Sequence, residues 1–418
     1  MSPVRLAVVG AGGRGRQYAS WALNHPEAAT VVAVAEPREE VRAEFAAQHG
    51  IAPDMCFTHW EHLLGAGRIA DAVLICTQDR MHTEPAIAFA DDGWNILLEK
   101  PMAPTPEECR EIVNAARKGG GVFAVCHVLR YTPYTKTLKS ILDSGAIGDI
   151  VSVQHLEPVG YWHFAHSYVR GPWRNEAESS SMLLAKSCHD LDWLRHVVGV
   201  PFARVSSFGS LKHFRSDNAP AGATHRCVSC PVQDDCAYSA TRIYGNGLKE
   251  RTFAIRHVVD VLEEARLEKA LQDGPYGRCV YDTDNDVVDN QVVSMEFADG
   301  TTGSFTVTAF TPMEDRKTRI FGSQGMIEGD GDEVRVFDFN TEKTTVTKIK
   351  KIGGVGAGAG HGGGDAGLIE AFVRAVGEND QSLVLSGPDE SLETHLAVFA
   401  AEEARLEGAV KSVEYQRN

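Results

Sequence analysis

Lys100 stands between Glu99 and Pro101, directly after the apolar run Asn95–Leu98. A lysine at the mouth of a strand, partly shielded from water, can polarise a hydroxyl or take its proton. A second reactive set occupies residues 186–192, where Lys186, His189, Asp190 and Asp192 fall within seven positions. At i and i+3, Lys186 and His189 share a helix face. An imidazole near neutrality can exchange protons there, with Lys186 as its partner or as the holder of an anionic substrate group. Residues 160–174 hold His163, His166, Arg170, Trp173 and Arg174 and no acid. Aromatic rings stack on sugar faces, and guanidinium groups fork onto carboxylate, sulfonate or phosphate oxygens. This stretch therefore reads as a loop for a substrate that carries a negative group. His361, set among glycines, is placed to lie over a substrate, and a linker whose Asp365 caps the next helix is an equal reading.

Cys227, Cys230 and Cys236 form a C-x2-C-x5-C cluster, with Cys279 available as a fourth ligand. Four thiolates suit tetrahedral zinc, and the surrounding segment shows no obvious apolar core of its own. The expectation is an insertion at 215–283 held together by a structural zinc ion, against the alternative of unliganded thiols.

These groups need elements to position them. Strand-like Leu6–Val9 runs into Gly10, Gly12, Gly13, Arg14 and Gly15, a G-x-G-x-x-G turn that opens a helix. In that context Gly10 permits the turn, Gly12 admits a pyrophosphate, and Gly15 lets the helix pack closely. The free N–H groups of the helix then receive phosphate oxygens. A second strand, Val31–Ala35, ends in Glu36, which suits ribose hydroxyls and disfavours a 2′-phosphate. The expected cofactor is NAD, with Arg38 the one feature pointing to NADP. Further strands at Asp71–Cys76, Asn95–Leu98 and Val122–Cys126 alternate with helices such as Pro85–Ala90 and Pro106–Arg117. This predicts an α/β, doubly wound parallel sheet over residues 1–127.

Beyond Ile150, strands dominate. Val287–Phe297, Thr301–Phe310, Lys317–Phe321, Met326–Glu328, Glu333–Phe339 and Thr344–Ile349 predict an open, mostly antiparallel sheet in a substrate domain spanning 128–418. Helices at Tyr134–Ser144, Ser187–Val198, Asp365–Val376 and Leu392–Leu406 accompany it, and Gly353–Gly364 reads as a flexible or ligand-hugging loop. An open sheet of this kind favours a homo-oligomer.

The chain has 418 residues, 43% of them apolar, and a formal net charge of −16. That charge argues against nucleic acid, and no apolar run approaches a membrane span. With no leader-like start and scattered thiols, a cytoplasmic location is expected.

Glu99-Lys100-Pro101 after its strand resembles the glucose–fructose oxidoreductase, inositol dehydrogenase and rhizopine-catabolism family (Gfo/Idh/MocA). Thr77-Gln78 with His82, Arg130-Tyr131 with Pro133, and Gly145–Gly148 support the likeness. The resemblance implies a nicotinamide between the domains and hydride transfer at a sugar or cyclitol carbinol, with C3 the expected position. It places Thr77, Gln78, His82, Glu99 and Lys100 at the cofactor and Arg130 and Tyr131 near the substrate. Many members carry an aspartate four residues before the histidine matching His189, and here residue 185 is alanine. Three outcomes stay open: a net sugar dehydrogenase, including one acting on a neutral cyclitol; a redox-neutral NAD-dependent glycosidase of sulfoquinovosidase type; and a non-catalytic NAD-binding sensor or co-repressor.

Overall fold

The computed structural model describes residues 2–250, 254–259, 261–350, 352 and 360–415. Most of the expected glycine loop, residues 353–359, lies outside that set. Strands β1 (Val4–Val9), β2 (Ala29–Ala35), β3 (Cys56–Phe57), β4 (Ala72–Ile75), β5 (Asn95–Leu98) and β6 (Phe123–Val125) form one sheet. Their order is β3-β2-β1-β4-β5-β6, every pair parallel. Because strand side chains alternate, Leu6 and Val8 enter the core on one face while Ala7 and Val9 enter the core on the other. Order reverses between β1 and β4, the crevice where doubly wound sheets bind ligands.

The second sheet contains β7 (Ile150–Pro158), β8 (Phe202–Ser210), β9 (Asn290–Phe297), β10 (Thr302–Thr308), β11 (Lys317–Gly322), β12 (Gly325–Gly329), β13 (Glu333–Asp338), β14 (Lys343–Lys348) and β15 (Lys411–Ser412). Its order is β14-β13-β12-β11-β7-β10-β9-β8-β15. Only β7 and β10 run parallel; the other neighbours are antiparallel.

The helix Met182–Val198 covers this sheet and starts five residues earlier than the sequence suggested. Ser181 caps it by accepting from the Leu184 N–H at 3.3 Å, and left-handed Gly199 ends it. It is buried nearly all round. Its charged residues must therefore pair, since an unpaired buried charge costs several kcal/mol.

Two helices from the C-terminal part of the chain return to the parallel sheet. Leu368, Ile369 and Phe372 of the helix Gly364–Glu378 enter the core of the parallel sheet, as Leu392 and Leu396 of the helix Pro388–Glu407 do on its other face. Each such side chain contributes about 1.5–3 kcal/mol by leaving water.

The aromatic stretch is not a loop. A short helix, Tyr161–Phe164, runs into a single π-helical segment, Ala165–Arg170. The segment after it also departs from expectation. Helices Ala240–Glu250, Ile255–Val258 and Glu264–Asp273 build an apolar core from Ala240, Tyr244, Ile255, Leu267 and Leu271, with Trp162 packed against it. Local helical periodicity supplies the core that a metal had been expected to replace.

Candidate active site

The glycine turn is built as the spacing demands. Gly10 has φ of 91°, and a Cβ there would lie 2.6 Å from the Cys76 carbonyl oxygen; a Cβ on Gly15 would lie 2.1 Å from that of Gly10. Those two glycines serve the fold. Around Gly12 and Gly13 the space is open: a Cβ on Gly12 would meet nothing nearer than Arg38 at 3.9 Å, and one on Gly13 nothing within 4 Å. The helix Gly13–Asn24 begins with no side-chain cap and no acid in its first turn. An uncapped helix start beside an open cradle fits a dinucleotide pyrophosphate.

Glu36 closes the cradle. It accepts from the Ala11 N–H at 3.0 Å and pairs with Arg38 at 2.8 Å. Burial pushes its carboxyl up, but Arg38 and the Ala11 N–H outweigh that and hold it below its ordinary range. Arg14 does not point its charge into the cradle alone. Its guanidinium pairs with Glu99 at 2.7 Å and Asp365 at 2.8 Å, and Tyr18 donates to Glu99 at 2.9 Å. This cluster joins the glycine-turn helix, the end of β5 and the C-terminal segment. His82 bridges the Pro101 carbonyl at 2.8 Å and the Thr77 carbonyl at 3.2 Å, so it braces the loops after β4 and β5. Gln78 is exposed beside it.

Lys100 leaves β5 through a cis Lys100–Pro101 peptide, and its Nζ donates to the Ala185 carbonyl at 2.8 Å. One helical turn on, His189 is buried, and its Nδ1 has no hydrogen-bond partner among the described residues. Its ring meets those of His127 and His361 edge-on, with centroids 6.0 and 5.8 Å apart. The expectation of an imidazole titrating near neutrality is corrected. Burial, then the charge of Lys100 and the neighbouring His361, His127 and Arg316, lower the His189 pKa well below its ordinary value, so the ring is neutral.

Lys186 pairs with Glu157 at 3.1 Å. Arg316 pairs with the same carboxylate at 2.9 Å and with Asp190, which also takes His155 at 3.2 Å. Glu157, Arg316 and His127 were not foreseen from the sequence, and Asp190 and Asp365 were noted there without these partners. Glu157 is the only acid in β7, and that was the available signal for it. The others come together only through the sheet topology.

Several expected substrate contacts serve the scaffold instead. Arg130, 1% exposed, forms a two-pronged pair with Asp192 at 2.7 Å and also meets Glu390. The Tyr131 hydroxyl accepts from the Leu385 and Ser386 N–H groups. Arg170 is buried and donates to the carbonyls of Arg278 at 2.7 Å and Tyr238 at 2.9 Å. Arg174 pairs with Asp284 at 2.9 Å and Glu178 at 3.0 Å. The three arginines expected at the substrate are thus held by the protein itself, each guanidinium meeting a carboxylate or carbonyl. Trp173 donates to Asp79 at 3.3 Å, beside Gln78, and so ties the aromatic stretch to the parallel sheet. His163 meets the Val159 carbonyl at 3.2 Å, and burial followed by the charge of Lys186 lowers its pKa well below the ordinary value.

The zinc expectation is corrected as well. Cys227, Cys230, Cys236 and Cys279 do line one small cavity, but Arg170 lines it too and donates to the Cys227 sulfur at 3.5 Å. A fixed guanidinium opposes a dication, and no set of three or more metal-binding side chains is arranged for one among the described residues. No helix among the described residues is long and apolar enough to cross a membrane.

Comparison with known proteins agrees with this architecture. Residues 4–127 match the NAD-binding Rossmann fold of an oxidoreductase family, and residues 139–410 match its C-terminal alpha/beta domain. The oxidoreductase YteT of Bacillus subtilis is 23% identical over 72% of this chain and 71% of its own length. The 2,7-anhydro-N-acetylneuraminate hydratase of Escherichia coli is 25% identical over 50% of this chain and 54% of its own. Inositol 2-dehydrogenase 4 of Saccharopolyspora erythraea is 30% identical over 53% of this chain and 61% of its own. Levoglucosan dehydrogenase, solved with NADH and levoglucosan, superposes with a TM-score of 0.71 at 20% identity, over 99% of this chain and 100% of that one. Both domains, the glycine cradle and the Glu99–Lys100–Pro101 turn place this chain in the Gfo/Idh/MocA oxidoreductase family.

Proposed function

We propose that the protein catalyses NAD-dependent hydride transfer at a ring carbinol, C3 in our reading, of a neutral sugar or cyclitol. The observation that carries this is Lys100 Nζ, held on the Ala185 carbonyl one helical turn before His189, whose ring feels its charge and whose Nδ1 is unpartnered among the described residues. When bound, the dinucleotide supplies a nicotinamide that accepts hydride. Gly12, Gly13 and the start of the helix Gly13–Asn24 would hold its phosphates, and Glu36 would accept from its ribose hydroxyls. Lys100 polarises the substrate hydroxyl, and His189, neutral and desolvated, takes the proton.

The charge balance favours a neutral substrate. Each of Arg14, Lys186 and Arg316 already has a carboxylate within 3.1 Å. The anionic substrate group suggested by Arg170 and Arg174 loses its support, because both have protein partners. What remains for recognition are polar groups suited to sugar hydroxyls.

A redox-neutral cycle is a second reading, favoured by the relative named as a hydratase. There a transient C3 ketone acidifies C2–H, a group is eliminated, water adds and the hydride returns. Neutral and anionic aryl glycosides and free sugars in deuterated water distinguish the two. NADH accumulation with neutral sugars fits the dehydrogenase. Aglycone release with C2 deuteration and no net NADH fits the redox-neutral cycle. Neither signal with any sugar contradicts both.

A further inference from the structure

His361 is one of three described residues other than glycine with a left-handed backbone, at φ of 46°. That conformation costs on the order of 1 kcal/mol and is tolerated where the surroundings enforce it. Gly360, Gly362 and Gly363 share positive φ, so the chain is wound to deliver this single imidazole. Its Nδ1 lies 3.0 Å from Asp365 Oδ1, and Arg14 holds the same carboxylate. With Nδ1–H donated to Asp365, Nε2 is the nitrogen left to exchange protons.

Two further observations meet at this ring. On one side it sits edge-on to His189, with centroids 5.8 Å apart at 61°. On the other it lines a cavity of about 70 Å³ with Thr132, Tyr134, Asp315 and Arg316. A cavity of that size has room for a few water molecules, which those polar groups can hold. His361 therefore touches both the buried His189 and a chamber able to hold water.

Oxidation of a carbinol releases one hydride and one proton. The hydride goes to the nicotinamide, and the proton has to leave a site from which water is largely excluded. We propose that His361, oriented by Asp365, is the proton exit: the proton taken by His189 passes through a bridging water to His361 Nε2 and from there to water in the cavity. The assignment rests on the hydride-transfer reading above. It gives His361 a relay role in place of the substrate contact suggested by the sequence. The charged and titratable groups facing it are Asp365 in the first turn of the helix that follows, Arg14 on the glycine-turn helix, Lys186 and His189 on the helix Met182–Val198, and Asp315 and Arg316 on the cavity wall. Burial lowers the His361 pKa further than Asp365 restores it. A ring that is neutral at rest passes a proton on and does not retain it.

The test uses the full chain with His361→Asn and His361→Ala. NAD+ affinity is read by quenching of tryptophan fluorescence. Turnover is read as NADH formation in dilute buffer, with the neutral sugar that wild type oxidises fastest. Relay loss predicts a fall in kcat of about 10- to 100-fold, with KM and the NAD+ Kd within about twofold of wild type. Added imidazole should restore the variants in a saturable way and leave wild type unchanged. A raised KM with kcat intact, an unchanged kcat, or a loss that imidazole does not restore would overturn the proposal. Absence of NAD+ reduction by wild type with every sugar would overturn the hydride-transfer reading, and this assignment with it.

Discussion

Lys100 Nζ donates to the carbonyl oxygen of Ala185 at 2.8 Å, linking the end of β5 to the helix Met182–Val198. Residue 185 is where the resemblance implied an aspartate. Here the lysine is oriented by a neutral backbone acceptor, and carboxylates stand instead at Glu99, Glu157 and Asp190.

Arg130 is a scaffold residue in this account. Removing it leaves Asp192 ionised and buried, which costs about 3–5 kcal/mol. Arg130→Ala should lower the urea midpoint accordingly at pH 7. Arg130→Met combined with Asp192→Leu should recover much of that loss, since it removes both charges and keeps volume.

Arg174 tests substrate charge. Arg174→Ala removes a partly exposed ion pair with Asp284 and should cost no more than about 1 kcal/mol. Its effect on kcat/KM should be the same for a neutral sugar and its anionic analogue. A selective loss with the anionic analogue would restore the anion-binding role.

Much of the frame was legible because it is local. The glycine spacing, the acid ending β2, the Glu-Lys-Pro turn after β5 and the alternating strands from β9 to β14 all declare themselves within a few residues. The two-residue β3 lacked a period to detect, and β8, with serines at three of nine positions, reads as a polar turn. The site proved harder because its pairs are nonlocal. Arg14 meets Asp365 across 351 positions, and Arg316 meets Asp190 across 126. An arginine's type says that it will find an anion; only the topology says whether that anion is the protein's own. Arg130 and Arg174 show how readily an acidic chain provides one, while Arg170 settles on backbone carbonyls.

Acid should destabilise the protein well above the carboxylate range. Burial is the leading cause lowering the pKa of His127, His163, His166, His189 and His395, the third and fifth to about 3. Below pH about 6.5 the unfolded chain binds protons that the folded chain refuses, so stability falls as pH drops. Each such ring contributes a slope of about 1.4 kcal/mol per pH unit until its folded pKa is reached. Asp190 and Asp365, held below the ordinary carboxylate range against burial by Arg316 and by His361 with Arg14, lose their stabilisation only below pH about 4. Thermal midpoints should be flat from pH 7 to about 8 and decline from pH about 6.5 downward. A flat profile to pH about 4.5 would contradict the buried neutral histidines.

Chelation should be without effect. Arg170 sits among the four insertion cysteines, so protein purified without chelator should carry no stoichiometric zinc, and EDTA should leave its melting midpoint unchanged. Elemental analysis and a melt with and without EDTA check this directly.

The central claim is hydride transfer at Lys100, and isotope transfer tests it most directly. Wild type and Lys100→Met are incubated with NAD+ and a neutral sugar deuterated at C3, with the NAD+ Kd measured for both. Deuterium should appear on nicotinamide C4 with wild type. With Lys100→Met the transfer should be at least about 100-fold slower at unchanged NAD+ affinity. Transfer by the variant at the wild-type rate, or NAD+ binding by wild type with no deuterium leaving the carbinol carbon of any sugar, would contradict the account.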